Sequence, residues 1–146
     1  MFKKILFPTD FSDVARKAMK YIAELKGTET QEVIVLHVMD EKELTVLSSR
    51  APDQYLRIME VLNKEVSTEM AAVQTAMASE GFHVKLEVRT GNPFKVIMDT
   101  AAKEKVSIIV LGSHGRSNIA EMLMGSVSEN VIRHAGLPLL VISRET

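Results

Sequence analysis

Short apolar runs rich in β-branched residues alternate with segments of helical periodicity along nearly the whole chain. Four such runs occupy residues 3–9, 32–40, 106–112 and 138–143. Strands that are apolar at nearly every position are covered on both faces, which is typical of parallel sheets. The alternation with helices therefore predicts an α/β fold, an open parallel sheet with helices on both faces.

The segments between these runs supply one further strand and four helices. Residues 83–91 alternate apolar and polar residues, as in a half-exposed or edge strand. Helical spacing of apolar residues covers residues 13–26 and then 56–77, where it includes a stripe of methionines that we interpret as core packing. A third helix begins at Pro93 after the N-cap Asn92, and a fourth follows Ser126, with Ile132 expected to face inward. Gly81 and Gly136 follow two of these helices as stop signals.

A length of 146 residues fits a single domain covering residues 1–146. We expect five strands in the order 3-2-1-4-5, with the first two strands paired and the chain then crossing to the other side of the first. The carboxyl ends of the first and fourth strands would then flank the switch point, where open α/β sheets bind ligands.

The overall charge and composition exclude several classes of protein. A net charge of −1, with 18 basic and 19 acidic residues, argues against a nucleic-acid or membrane surface, which would need a basic stripe. The chain has no cysteine, and a reducing cytoplasm is therefore the expected compartment. The first apolar run is interrupted too early, by Pro8 and Asp10, for a signal peptide.

Three of the seven glycines, Gly112, Gly115 and Gly125, fall within one fourteen-residue window. Gly125 and Ser126 immediately precede the last helix, and a helix N-terminus attracts phosphate. Glycines allow the backbone to approach such an anion closely. An alternative is purely structural, with Gly115 in a turn and Ser126 capping the helix through a capping box with Glu129.

Two further residues lie at predicted strand ends near this window. Asp10 follows the first strand and is suited to a ribose hydroxyl, or to magnesium together with phosphate oxygens. Its alternative role is to cap the first helix, which Ser12 could also do. Val38 ends the second strand and offers backbone groups and an apolar wall to a flat base, or it belongs simply to the sheet core.

The spacing Gly112-x-x-Gly115, nine residues, then Gly125-Ser126 resembles the nucleotide-binding signature of the universal stress protein family. "ILFPTDFS", "VLHV" and "GSVSENVIRHAGLPLLVI" also resemble that family's first strand and loop, its second strand and its C-terminal third. The complete glycine signature is that of the members that bind ATP. The resemblance implies a Rossmann-like adenine-nucleotide-binding fold and a role in the stress response.

The same resemblance assigns roles to particular residues. It implies that Asp10 and Val38 contact ribose and adenine, with Pro8 and Thr9 lining the base pocket. It places the phosphates and adjoining sugar against Gly112, Gly115, Gly125, Ser126 and Val127. It leaves His114, Arg116 and Ser128 as neighbours of the site, with ATP or another adenine nucleotide as the ligand.

Other nucleotide and catalytic motifs do not occur in the sequence. There is no G-x-x-x-x-G-K-[ST] and no G-x-G-x-x-G, which argues against a P-loop enzyme and a dinucleotide site. A phospho-receiver domain would need an aspartate after the third strand, where Arg89-Thr90-Gly91 stand. The four histidines are scattered without metal-ligand spacing, and we interpret His37 as a satisfied core histidine. No base–nucleophile pair stands out, although slow ATP hydrolysis or phosphorylation of Ser126 or Ser128 stays open.

The last strand, Pro138 to Ser143, predicts a partner. An apolar sheet edge invites pairing with another chain, and a twofold homodimer is the economical arrangement. The alternative is a monomer whose edge is shielded by residues 41–55, a segment that matches no pattern. We therefore expect a nucleotide-responsive regulatory or interaction dimer, with a slow ATPase and a nucleotide-free interaction module as alternatives.

Overall fold

The computed structural model describes residues 2–114 and 125–144. In this part of the chain the strands are β1 (Lys4–Pro8), β2 (Glu32–Asp40), β3 (His83–Gly91), β4 (Ile108–Gly112) and β5 (Leu139–Ile142). The helices are α1 (Asp13–Glu24), α2 (Glu41–Arg50), α3 (Tyr55–Ser79), α4 (Pro93–Glu104) and α5 (Ser126–His134). Within these ranges no helix combines the length and the apolar character that a bilayer crossing requires.

The five strands form one parallel sheet in the order β3-β2-β1-β4-β5, which confirms the predicted order. Strand β1 pairs with β2 on one side, where Lys4 lies opposite Glu32, and with β4 on the other, where Ile5 lies opposite Ile108. The switch point therefore lies between the carboxyl ends of β1 and β4. β3 and β5 are the two edges of the sheet.

Alternate residues of the central strands fill two cores, one on each face of the sheet. Ile5 and Phe7 of β1 and Val33 and Val35 of β2 pack with α1 and α3, and Met70, Val73 and Met77 supply the contribution of α3. Leu6, Ile34, Leu36, Ile109 and Leu111 pack with α4 and α5. Every one of these strand residues is less than 5% exposed, which explains why the strands read as continuous apolar runs.

The helix boundaries follow local chemistry. Asn92 caps α4 by accepting a 3.0 Å hydrogen bond from Lys95 N–H, and Pro93 is the first helical residue, as predicted. Gly81 and Gly136 follow α3 and α5 with φ values of +95° and +66°, in the left-handed region that favours glycine.

Residues 41–50, which the sequence leaves unassigned, form α2, and Asp40 at the end of β2 caps this helix. None of the residues of α2 is buried, so no apolar periodicity marks it. The first half of α3 also has no buried residue, since the buried residues of this helix begin at Met70. Leu56, which we predicted on the apolar face, is 82% exposed. Because α2 contacts β2 and β3, it lies away from β5 and does not shield that edge, contrary to the monomer alternative.

Helix α5 differs from the prediction at two points. Its N-cap is Gly125 and Ser126 is already helical, so the capping box of Ser126 and Glu129 does not form. Glu129 pairs instead with Arg133, at 2.9 Å. Ile132 was expected to face inward but is 40% exposed, because Val131 and Ser128 occupy the face that meets the sheet.

Candidate functional site

A cavity of about 1320 Å³ opens at the carboxyl edge of the sheet, over the switch point. Ten of the twelve predicted binding residues line it: Pro8, Thr9, Asp10, Val38, Gly112, His114, Gly125, Ser126, Val127 and Ser128. The other two, Gly115 and Arg116, lie outside the described residues. The volume exceeds the 300–1,000 Å³ that is usual for small-molecule sites, so a nucleotide has room.

The loop after β1 carries Asp10 into this cavity. Ser12 caps α1, since its Oγ accepts a hydrogen bond from Ala15 N–H at 3.2 Å. The Oδ1 of Asp10 accepts from Ser12 N–H at 3.0 Å, which closes a tight turn ahead of the helix. Of the two candidates for the helix cap, Ser12 therefore takes that role, and the carboxylate of Asp10 belongs to the turn that borders the cavity.

Phe11 and His37 also line the cavity, and the sequence reasoning did not include them in the site. Phe11 has a φ of +64°, a conformation that is rare for an aromatic residue. Its ring stacks on the imidazole of His37 with centroids 4.6 Å apart. The Nδ1–H of His37 donates to the carbonyl oxygen of Thr9 at 2.8 Å, because a carbonyl can only accept. His37 is thus hydrogen-bonded, as predicted, but at the border of the cavity.

The backbone of Val38 is directed toward the crevice. The carbonyl of Leu36 accepts a 2.8 Å hydrogen bond from Thr9 N–H on the β1 side of β2. Val38, two residues on, directs its own N–H and C=O to the same side, beyond the point where β1 ends at Pro8. Its side chain packs against the core formed with α4 and α5, and the residue also lines the cavity.

Gly112 is required by packing. A Cβ on this residue would lie 2.6 Å from Val14 Cγ1 and 3.2 Å from Val14 Cβ. Val14 belongs to α1 and is 1% exposed, so it has little room to move. The close contact between β4 and α1 alone therefore accounts for glycine at this position.

The N-terminus of α5 is fixed to the end of β4. Gly125 N–H donates to the carbonyl of Ser113 at 2.9 Å, and Ser128 Oγ donates to the carbonyl of Gly112 at 2.6 Å. Gly125 has no side chain to cap the first turn, so the N–H groups of that turn are left to other acceptors. Its φ of −63° suits any residue, and backbone conformation therefore does not explain the glycine.

The two serines that we considered as phosphate acceptors are placed differently. Ser128 is 6% exposed and its hydroxyl is already committed to the Gly112 carbonyl, which argues against a phosphate acceptor. Ser126 is exposed at the first position of α5 and borders the cavity. Ser126 is therefore better placed than Ser128 to accept a phosphoryl group.

His114 lies in the wall of the cavity with its imidazole oriented by its neighbour. Its Nδ1 lies 2.7 Å from Ser113 Oγ. Its Nε2 is buried and has no hydrogen-bond partner in the structure described. Buried polar atoms are nearly always hydrogen-bonded, so this nitrogen is an exception to the rule.

Within residues 2–114 and 125–144, no three carboxylate or imidazole groups are grouped to hold a metal ion. Asp10 would accordingly need phosphate oxygens to complete a magnesium site. The cavity also extends to residues of α2 and α3 that were not predicted to belong to the site, among them Glu43, Leu44, Val61 and Leu62.

Comparison with known proteins agrees with this architecture over the full length. Universal stress protein MJ0577 of Methanocaldococcus jannaschii is 36% identical over 157 aligned positions, which cover 99% of this chain and 97% of that protein. A solved structure of MJ0577 has a TM-score of 0.90 at 39% identity, covering 100% of this chain and 99% of that one. Universal stress protein YxiE of Bacillus subtilis is 30% identical, over 97% of this chain and 99% of its own.

A more distant structure shares the fold. It is a universal stress protein from Archaeoglobus fulgidus in complex with dAMP, with a TM-score of 0.67 at 20% identity and 98% coverage of both chains. The family model described as universal stress protein family matches residues 1–143. The fold, the full-length relatives and this match lead to one conclusion: the chain belongs to the universal stress protein family.

Proposed function

We propose that this protein binds ATP in the cavity at the carboxyl edge of its sheet and acts as a nucleotide-dependent regulatory dimer. The observation that carries the proposal is the convergence of three features on one cavity: the Asp10 loop, the backbone of Val38 and the bare N-terminus of α5. These features match the three parts of a nucleotide.

The base and ribose fit the β1 and β2 side of the cavity. The edge of adenine needs one donor and one acceptor, and the backbone N–H and C=O of Val38 are directed toward the crevice. Pro8 and Thr9 border the same space from the end of β1. The carboxylate of Asp10 accepts hydrogen bonds, and ribose hydroxyls can donate them.

The phosphates fit the other side, against α5. The N–H groups of the first turn and the positive end of the helix dipole favour an anion. Gly125 at the N-cap contributes no side-chain cap to this turn, and His114 lines the adjoining wall of the cavity. Magnesium would be held by Asp10 together with phosphate oxygens and would neutralise part of the phosphate charge. The dAMP complex of the A. fulgidus relative supports an adenine nucleotide as the ligand class.

The test is nucleotide content and affinity. Freshly purified protein is denatured, the released small molecules are chromatographed, and the stripped protein is titrated with ATP and magnesium by calorimetry. Gly125→Val places a branched side chain at the open end of α5 and should abolish binding without unfolding the protein. Gly27→Val is the matched control, because Gly27 follows α1 at the opposite edge and a Cβ there would meet just one atom, 3.9 Å away.

Either of two results would reject this function. One is purified protein that contains no nucleotide and binds none at millimolar ATP, which would leave a nucleotide-free interaction module. The other is Gly125→Val protein with unchanged affinity, because it would remove α5 from the site.

The dimer would form through β5. The carbonyls of Pro138 and Ile142 accept hydrogen bonds from Ile109 of β4 and from Ser113 just after it, so residues of even number face β4. Leu139 and Val141 therefore direct their backbone groups outward, away from β4, at the edge of the sheet. An antiparallel pairing of two such edges satisfies these groups by twofold symmetry.

A substitution on this edge tests the dimer. Val141→Pro removes an outward N–H without removing a donor to β4, and it should convert the dimer to a monomer in light scattering. Val141→Ala keeps the N–H and should stay dimeric. Circular dichroism confirms that both variants fold, and a folded Val141→Pro dimer would reject this interface.

A further inference from the structure

Asp10 is flanked by two residues that are both held by one side chain of the neighbouring strand. The imidazole of His37 donates from Nδ1 to the carbonyl of Thr9 at 2.8 Å. The same ring stacks on Phe11 with an interplanar angle of 25°. One side chain thus contacts the residue before Asp10 and the residue after it.

The loop needs such a contact because its backbone is in an uncommon conformation. Phe11 is in the left-handed region, at φ +64°, a backbone conformation that residues other than glycine seldom adopt. Residues held in such conformations persist where their surroundings fix them, and they cluster at ligand sites. Within the loop, Phe11 N–H donates to Thr9 Oγ1 at 3.1 Å, and Ser12 N–H donates to Asp10 Oδ1.

Phe11 belongs to the core that α1 and α3 form with the sheet. A separate small cavity of about 80 Å³ borders Phe11 between α1 and α3, among Ala15, Met19 and Val73. Phe11 is 4% exposed, and the imidazole of His37 lies against the face of its ring. The stack with His37 accordingly limits how far the ring, and with it the loop backbone, can move.

We propose that His37 is a positioning residue that sets the carboxylate of Asp10 for the ribose hydroxyls of the nucleotide. This inference rests on the proposed function, because it assumes that Asp10 faces ribose. It makes His37 responsible for the preference between nucleotides with and without those hydroxyls, and not for affinity in general.

The test compares ATP with 2′,3′-dideoxy-ATP in the wild-type protein and two variants. The wild-type protein should prefer ATP by about tenfold or more, the size of one hydrogen bond to a charged group. Asp10→Ala should lose this preference. His37→Phe keeps an aromatic ring against Phe11 but removes the donor to Thr9, and its ATP preference should fall to within about twofold of unity.

Two further variants separate positioning from general stability. His37→Asn restores a donor near the place of Nδ1 and should recover most of the preference. His83→Phe is the matched control, because His83 is exposed at the opposite edge of the sheet, at the start of β3, and it should leave the preference unchanged. Loss of preference in His37→Phe with recovery in His37→Asn would establish the assignment.

Amide hydrogen exchange without nucleotide gives an independent readout. In His37→Phe the amides of Phe11 and Ser12 should exchange about tenfold faster, while those of β1 keep the wild-type rate. A wild-type ratio of the two affinities in His37→Phe would overturn the proposal, even if the loop amides exchanged faster. Failure of wild-type protein to bind any nucleotide would reject the proposed function instead, and unchanged exchange would then reject the contact of His37 with the loop.

Discussion

Replacing Gly112 with alanine distinguishes packing from ligand binding at the end of β4. The new Cβ would lie 2.6 Å from Val14 Cγ1, a separation that real Cβ atoms do not tolerate. Val14 is 1% exposed, so relief requires α1 to shift or Val14 to leave its rotamer. Overpacking of this kind costs about 1–3 kcal/mol of unfolding free energy. For a chain of this size that corresponds to a Tm lowered by about 3–12 °C.

Urea denaturation of stripped protein measures the effect directly. The same substitution in a Val14→Ala background should cost less, because Cγ1 is gone, although Cβ of residue 14 stays 3.2 Å away. The difference between the two backgrounds should be about 0.5 kcal/mol or more. A Gly112→Ala variant with the wild-type urea midpoint and lost ATP affinity would refute the packing argument and make this glycine a ligand requirement.

Two other predictions concern α5 and the β3 edge. Gly125→Asn supplies the missing side-chain cap, so thermal unfolding should show a stability gain of a few tenths of a kcal/mol while calorimetry shows weaker ATP binding; equal affinity would contradict this. Lys85 Nζ lies 3.0 Å from Glu104 Oε2, and this hydrogen bond lowers the pKa of Glu104 and raises the pKa of Lys85. The stability that this interaction of Glu104 contributes is present above the ordinary glutamate pKa and is lost as pH falls through the lowered pKa of Glu104. Lys85→Met should therefore reduce the change in urea midpoint on acidification, and the same change as in the wild-type protein would count against this prediction.

The sheet and its switch point were predictable from sequence because buried strands and helix faces require recognisable patterns of apolar residues. Ile5, Leu6 and Phe7 are all fully buried, and a short apolar run that a proline ends is typical of a strand covered on both faces. The same reasoning placed β3 at an edge. Helix α2 has no such apolar pattern, because none of its residues is buried.

The site was predictable in its location but not in its details. Strand ends and glycines indicated the crevice, and ten predicted residues do line one cavity. The structural role of individual residues could not be predicted from the sequence. Gly112, for example, packs against Val14, and spacing cannot reveal a contact between residues ninety-eight positions apart. His37 has the same parity as Val33 and Val35 and therefore appeared to be core, whereas its contacts are with the Asp10 loop.

The absence of buried residues in α2 has a practical consequence for experiments on this protein. Because no residue of α2 is buried, a change of side chain there removes nothing from either core. Val46 is 47% exposed on this helix, and Glu43 and Leu44, within one turn of it, border the cavity. A single cysteine introduced at Val46 would be the one thiol of the chain, since the sequence has none of its own. A fluorophore attached to it would report from the rim of the site at little expense to the fold.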